Sequence, residues 1–235
     1  MSASRLAAIV VLLATPAIAY RLGGTNLWIV NAVGTTVAAA IALYVLWQDG
    51  MLEDVVKPQG LDVSSGFLAA ATMYTVIVLA WAFLIAPADE AAGLLRRCSL
   101  HGVLVPRENA HGVRAVLEFA RAQTCAGYGA SLGLTGPARG AAILAIAVLE
   151  EIGWRGGVQQ ALSEKVGTTR GWIAASMLYA LAHAATGNVL LGLVALAGGL
   201  VWGGLYRYRG RLVPGVFSHA VFSYFLFYMR PLVGF

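Results

Sequence analysis

Apolar runs about as long as a bilayer is thick recur along the chain, and no other feature constrains its fold as tightly. In hydrocarbon each backbone N–H and C=O needs a partner, and a helix supplies them all within one segment. Only 11% of the 235 residues are charged and 59% are hydrophobic, against about 25% charged in soluble domains. The sequence therefore predicts an all-α, multi-pass integral membrane protein. The expected architecture is a bundle of about seven transmembrane helices, eight if residues 113–134 also cross, with a polar cavity inside.

The first run, Leu6 to Tyr20, follows Arg5 and ends in Ala17-Ile18-Ala19. A basic start, a short apolar core and an A-x-A end imitate a signal peptide. The bundle that follows directly favours an uncleaved transmembrane helix instead. A second span runs from Leu27 to Trp47, with Trp28 and Trp47 at interfacial positions. Asp49 to Ser65 is polar, is broken by Gly50, Pro58 and Gly60, and reads as a loop; Phe67 to Ala86 reads as the third span. Pro87 to Gly140 holds Arg96, Arg97, Arg107, Arg114, Arg121 and Arg139. Within it Val113 to Ala122 has the spacing of an interfacial amphipathic helix. Further helices are expected at 141–163, 171–186, 189–206 and 212–229, with short connections that make neighbours antiparallel. Gly192, Gly198, Gly199, Gly203 and Gly204 assign the third of these to close helix packing. Residues 1–138 are thus N-terminal helices plus an arginine-rich segment, and 139–235 form the helical core that carries the polar groups.

The net charge of +5 would suit nucleic acid in a soluble protein. No basic run interleaved with aromatics supports that, so the expected partners are the lipid bilayer and a membrane-associated protein or peptide, with no nucleic acid. Basic residues here mark loops on the cytoplasmic side. Lys165 and Arg170 fall at the same end of the bundle as Arg207, Arg209 and Arg211. The two cysteines, Cys98 and Cys125, lack metal-ligand spacing and form a disulfide only if their segment is extracytoplasmic.

The chemistry concentrates in Leu149-Glu150-Glu151-Ile152-Gly153-Trp154-Arg155, where two carboxylates end the apolar run Ala141 to Leu149. A charged side chain at the bilayer centre costs roughly 2.5–3.5 kcal/mol on insertion scales, so a pair calls for a reason. Adjacent helical positions point about 100° apart, so the two should face different partners. Glu151 and Arg155, at i and i+4, share a face as a buried ion pair. Glu150 has no partner nearby in sequence and is left as a general base. His183 and His219 lie in later apolar segments. Ser223 is one turn beyond His219, so imidazole and hydroxyl can donate together to an oxyanion. Tyr179, one turn before His183, packs beside it or orients it. Three chemistries use this set: water activated by Glu150 with His183, a metal held by Glu150, His183 and His219, or serine catalysis, for which no GxSxG turn exists. No HExxH motif requires a metal, so no cofactor is demanded and a divalent ion such as zinc remains the alternative.

Glu150-Glu151-x-x-x-Arg155 resembles the EExxxR motif of the CPBP intramembrane proteases, the family of the type II CAAX prenyl endopeptidases and bacteriocin-processing or immunity-associated proteins, also called Abi. Tyr179-x-x-x-His183 resembles its FxxxH motif and His219-x-x-x-Ser223 its HxxxN motif. Gly199 to Gly215, with Gly203, Gly204, Arg209 and Pro214-Gly215, is similar to the family's intervening stretch, and the resemblance covers Arg139 to Arg230. It implies proteolysis inside the membrane, with Glu150 and His183 positioning the water and His219 and Ser223 forming the oxyanion site. Tyr179 stands where the family has Phe. Ser223 stands where it has Asn and swaps a two-donor amide for a one-donor hydroxyl. The expected function is an intramembrane endopeptidase acting near the C-terminus of a membrane-associated substrate, in a bacterial inner or cell membrane. A non-catalytic immunity or scaffold protein of the same fold is the runner-up, and a proton-coupled transporter the third reading.

Overall fold

A computed structural model describes residues 3–85, 113–131, 133–230 and 232. Among them there are helices and no strand: α1 (Ala3–Leu22), α2 (Gly24–Gln48), the short α3 (Leu52–Val56), α4 (Asp62–Ala80), α5 (Val113–Ala130), α6 (Gly136–Glu151), α7 (Gln160–Val166), α8 (Thr168–Ala184), α9 (Val189–Arg209) and α10 (Val213–Tyr224). Wider π-helical turns follow α4 at Trp81–Ile85, join α6 to α7 at Ile152–Gln159, and follow α10 at Phe225–Met229. Arg5–Leu22, Gly24–Gln48, Asp62–Phe83 and Val189–Arg209 are long and apolar enough to cross a membrane, and Val213–Met229 is a shorter apolar helix. The protein is a helical membrane protein.

α1 packs along α2, α8 against α9, and α10 against both α4 and α6. The glycines of α9 serve the close packing expected of them. A Cβ on Gly199 would lie 3.1 Å from the Ser176 backbone of α8, so the two helices touch main chain to main chain. One end of the bundle is tied by charge. Arg5 pairs with both Asp49 and Glu164, joining the start of α1 to the ends of α2 and α7. The Leu212 N–H donates to the Val55 carbonyl at 2.8 Å. The Arg207 guanidinium lies over the Trp172 ring of α8, 5.4 Å from its centre, so the basic ends of α8 and α9 coincide as the sequence indicated. At the other end the Thr25 hydroxyl donates to the Gly133 carbonyl, and the Val189 N–H donates to the Gln123 amide oxygen.

Two boundaries differ from the sequence reading. The segment 49–65 is not simply a loop, because it contains α3 and the first turn of α4. That turn starts at Asp62, which is fully buried and accepts two hydrogen bonds from Arg211, at 2.8 and 3.1 Å. Arg211 is 149 residues away, and this distant neutralisation lets a helix begin on a buried carboxylate. α5 continues past Ala122, the expected end of an interfacial helix. Its later residues Thr124, Cys125 and Tyr128 are buried, and the Tyr128 hydroxyl donates to the Leu226 carbonyl at 2.6 Å. The second half of α5 is therefore part of the bundle wall. The expectations for Arg96, Arg97, Arg107 and Cys98 lie outside the described residues.

Replacing Asp62 by Ala removes the acceptor that holds the α9–α10 turn to the start of α4. Hydrogen bonds to charged groups contribute about 1.5–3 kcal/mol. Asp62→Ala should lower stability by about 2 kcal/mol in a denaturant titration of the detergent-solubilised protein; an unchanged midpoint would contradict the assignment.

Candidate active site

α6 delivers Glu150 and Glu151 to the middle of the bundle, and the chain then widens into the π-helical stretch Ile152–Gln159. Widened turns of this kind are frequent at functional sites. This one is pinned where the Gln159 amide donates to the Gly203 carbonyl at 2.9 Å. Gly156 and Gly157 within it sit against Leu46 and Ala42 of α2, an approach that larger side chains would obstruct.

Glu151 and Arg155 are both fully buried and form the pair expected from their spacing. Arg155 Nε donates to Oε2 at 3.1 Å and Nη2 to Oε1 at 3.3 Å. A third group shares the carboxylate: His219 Nδ1 lies 3.1 Å from Oε1. A carboxylate can only accept here, so Nδ1 carries a proton and Nε2 is left facing the other way. Nε2 stands 4.0 Å from Glu150 Oε2. One imidazole thus lies between the two glutamates. The two carboxylates diverge from α6 as adjacent helical positions require: Glu151 takes Arg155 and His219 as partners, while Glu150 lies 4.0 Å from the far edge of the same ring, beyond hydrogen-bonding range. Gly215 makes this arrangement possible, since a Cβ there would lie 2.9 Å from Glu151 Oε2.

Glu150 has a partner that sequence proximity could not reveal. The Tyr179 hydroxyl donates to its Oε2 at 2.9 Å. The Tyr179 ring is 3% exposed and meets Trp154, His183 and His219 edge-on. The Arg155 guanidinium lies over its face, 5.2 Å from the centre. His183 Nδ1 is 2.9 Å from the Tyr179 carbonyl oxygen. A carbonyl only accepts, so Nδ1 is again the protonated nitrogen and Nε2 keeps a lone pair.

Glu150, Tyr179, His183, His219 and Ser223 all line one cavity of about 150 Å³. Apolar side chains such as Ile143, Leu191, Val194 and Phe227 form most of its wall, and α1 and α2 add Pro16, Tyr20, Trp28 and Asn31. The structure thus brings together the four residues singled out for catalysis, with Glu151 and Arg155 behind them. Sequence reasoning missed Trp202. Its ring stacks on His219 at 3.8 Å and 17°, and its Nε1 donates to the Ser218 hydroxyl at 3.2 Å. Its one signal was a large aromatic within the glycine-rich run of α9.

The metal alternative calls for Glu150, His183 and His219 as ligands of one divalent ion. Among the described residues no three His, Cys, Asp or Glu side chains are grouped for a metal. Glu150 Oε2 already accepts from Tyr179, and His219 Nε2 is 4.0 Å away. No step is derived through a metal.

Residues 137–225 match the family model of Rce1-like type II CAAX prenyl endopeptidases. This is a protease family, and the one to which the three motifs point. No curated protein and no solved structure matches the chain.

Breaking a buried ion pair on one side leaves the other charge uncompensated, at a cost of about 3–5 kcal/mol. Arg155→Leu should destabilise the protein by about that amount in chemical denaturation, and adding Glu151→Leu should recover part of it. A double variant less stable than the single one would show that Arg155 acts on stability mainly through contacts other than Glu151.

Proposed function

We propose, on the premise of the type II CAAX prenyl endopeptidase family that residues 137–225 match, that the chain is a membrane-embedded endopeptidase. Its substrate is a membrane-associated protein or peptide, cut near the C-terminus. The observation that carries the reading is the convergence of Glu150, His183, His219 and Ser223, from three helices, on one mainly apolar cavity. In this reading α6 with its continuation, α8 and Val213–Met229 cross the bilayer beside the four longer helices.

The protonation pattern supports a water activated by glutamate. Glu150 keeps one carboxylate oxygen beside the one that accepts from Tyr179, and His183 offers the lone pair of Nε2. A water between them gives one proton to Glu150 as its oxygen adds to the peptide carbonyl. The resulting oxyanion is met by His219 Nε2 and the Ser223 hydroxyl. Because Nδ1 of His219 already donates to Glu151, Nε2 donates only from the imidazolium form. Glu150 on one side and Glu151 on the other are the counter-charges to that form. When the C–N bond breaks, the proton held by Glu150 passes to the leaving nitrogen. Donors fixed in place before charge develops commonly make the largest contribution to catalysis.

The test is a comparison of membrane-protein C-termini in cells that carry wild type or Glu150→Ala. A set of termini should remain unprocessed in the variant, and identical sets of termini would overturn the reading. Processing in isolated membranes should persist after treatment with a chelator; its loss, restored by added zinc, would move the chemistry to a metal.

A further inference from the structure

The Tyr179 hydroxyl is more than a filler of the core, and we propose that it is the positioning group for Glu150. It holds one carboxylate oxygen so that the other stays turned to the reacting water. This rests on the peptidase reading of the same cavity. A glutamate side chain has three rotatable bonds, and among the described residues Tyr179 Oη is the one hydrogen-bond donor that fixes it, at 2.9 Å. His219 Nε2, at 4.0 Å, is beyond hydrogen-bonding range. The donor itself is held rigidly. Its ring is caged by Trp154, His183 and His219 on its edges and by Arg155 over its face.

The simpler reading is that Glu150 merely satisfies a buried tyrosine, since such hydroxyls need a partner. The cage argues otherwise. The contacts that form the cage are made by the ring, and phenylalanine offers the same ring to them. The hydroxyl adds nothing to that packing, and it adds one constraint, on the carboxylate. The same residue also holds His183 through its backbone carbonyl. Glu150 and His183 are therefore both bonded to Tyr179, one at its hydroxyl and one at its backbone carbonyl.

Tyr179→Phe isolates the hydroxyl. The first measurement is the infrared spectrum of the full-length protein in lipid nanodiscs, with the Glu150 carboxylate band assigned by its loss in Glu150→Gln. The band should move in Tyr179→Phe. It should move the opposite way when residue 179 is replaced by a fluorinated tyrosine, a stronger donor of the same shape. A band that is the same in all three proteins overturns the proposal. The second measurement is the processing rate, by pulse-chase, of the C-termini that depend on Glu150. Loss of alignment by about 1 Å costs about 10²-fold, and Tyr179→Phe should slow processing on that order while the full-length protein stays folded in the membrane. A shifted band with wild-type processing also overturns it. If Glu150→Ala alters no terminus, the peptidase reading fails, while the infrared band still decides whether the hydroxyl holds Glu150.

Discussion

The structure depends on a buried charge assembly: Glu151, Arg155 and His219. Glu151 and Arg155 are both fully buried, and three donors converge on the one carboxylate. Assemblies of this kind are a poor source of stability, because desolvation takes back most of the Coulombic attraction. What this one supplies is direction. It ties α10 to the end of α6, and stacking on Trp202 adds α9. It also commits Nδ1 of His219 as a donor, which determines the nitrogen presented to the cavity. Every other group of the site is disposed around that ring.

Two adjacent glutamates then differ by neighbourhood alone. Glu151 is enclosed by an arginine, an imidazole and the Cβ-free face of Gly215. Glu150, one residue earlier, borders the cavity and meets a single phenol. The π-helical stretch that follows brings Arg155 back on Glu151, and among the described residues its Nη1 has no hydrogen-bond acceptor. The guanidinium also lies over the Tyr179 ring. Arg155 therefore touches the site twice, as the counter-ion of Glu151 and as part of the cage around the partner of Glu150.

The Glu151–Arg155 pair was legible in the sequence because helical spacing is a local rule, and four long apolar spans were legible because apolar length is one too. The glycines of α9 announced close packing for the same reason. Contacts between distant residues obey no such rule. Tyr179 is 29 residues from Glu150, His219 is 68 from Glu151, and Arg211 is 149 from Asp62. Each changes the role that composition alone suggests: a core aromatic becomes a donor, a core histidine binds the inner glutamate, and a polar loop starts a helix. The family motifs picked out residues that line one cavity but said nothing of how they touch. The departure of Tyr179 from the family's phenylalanine, mild by size, is the one with a hydrogen bond attached.

The part of the chain outside the match to the family model is not a passive support. Residues 137–225 carry the glutamates and both histidines, but Pro16 and Tyr20 of α1, Trp28 and Asn31 of α2, and Gly127 of α5 all face the same cavity. A smaller pocket of about 60 Å³ lies alongside, and Tyr20, Gly127, Leu191, Val194 and Phe227 line both. The cavity is therefore lined by both parts of the chain: the titratable groups and much of the apolar wall come from the matched segment, and α1, α2 and α5 complete it. In the peptidase reading, a substrate that reaches Glu150 would meet both. The wall can change in shape while the glutamates, the histidines and the ring of Tyr179 stay in register.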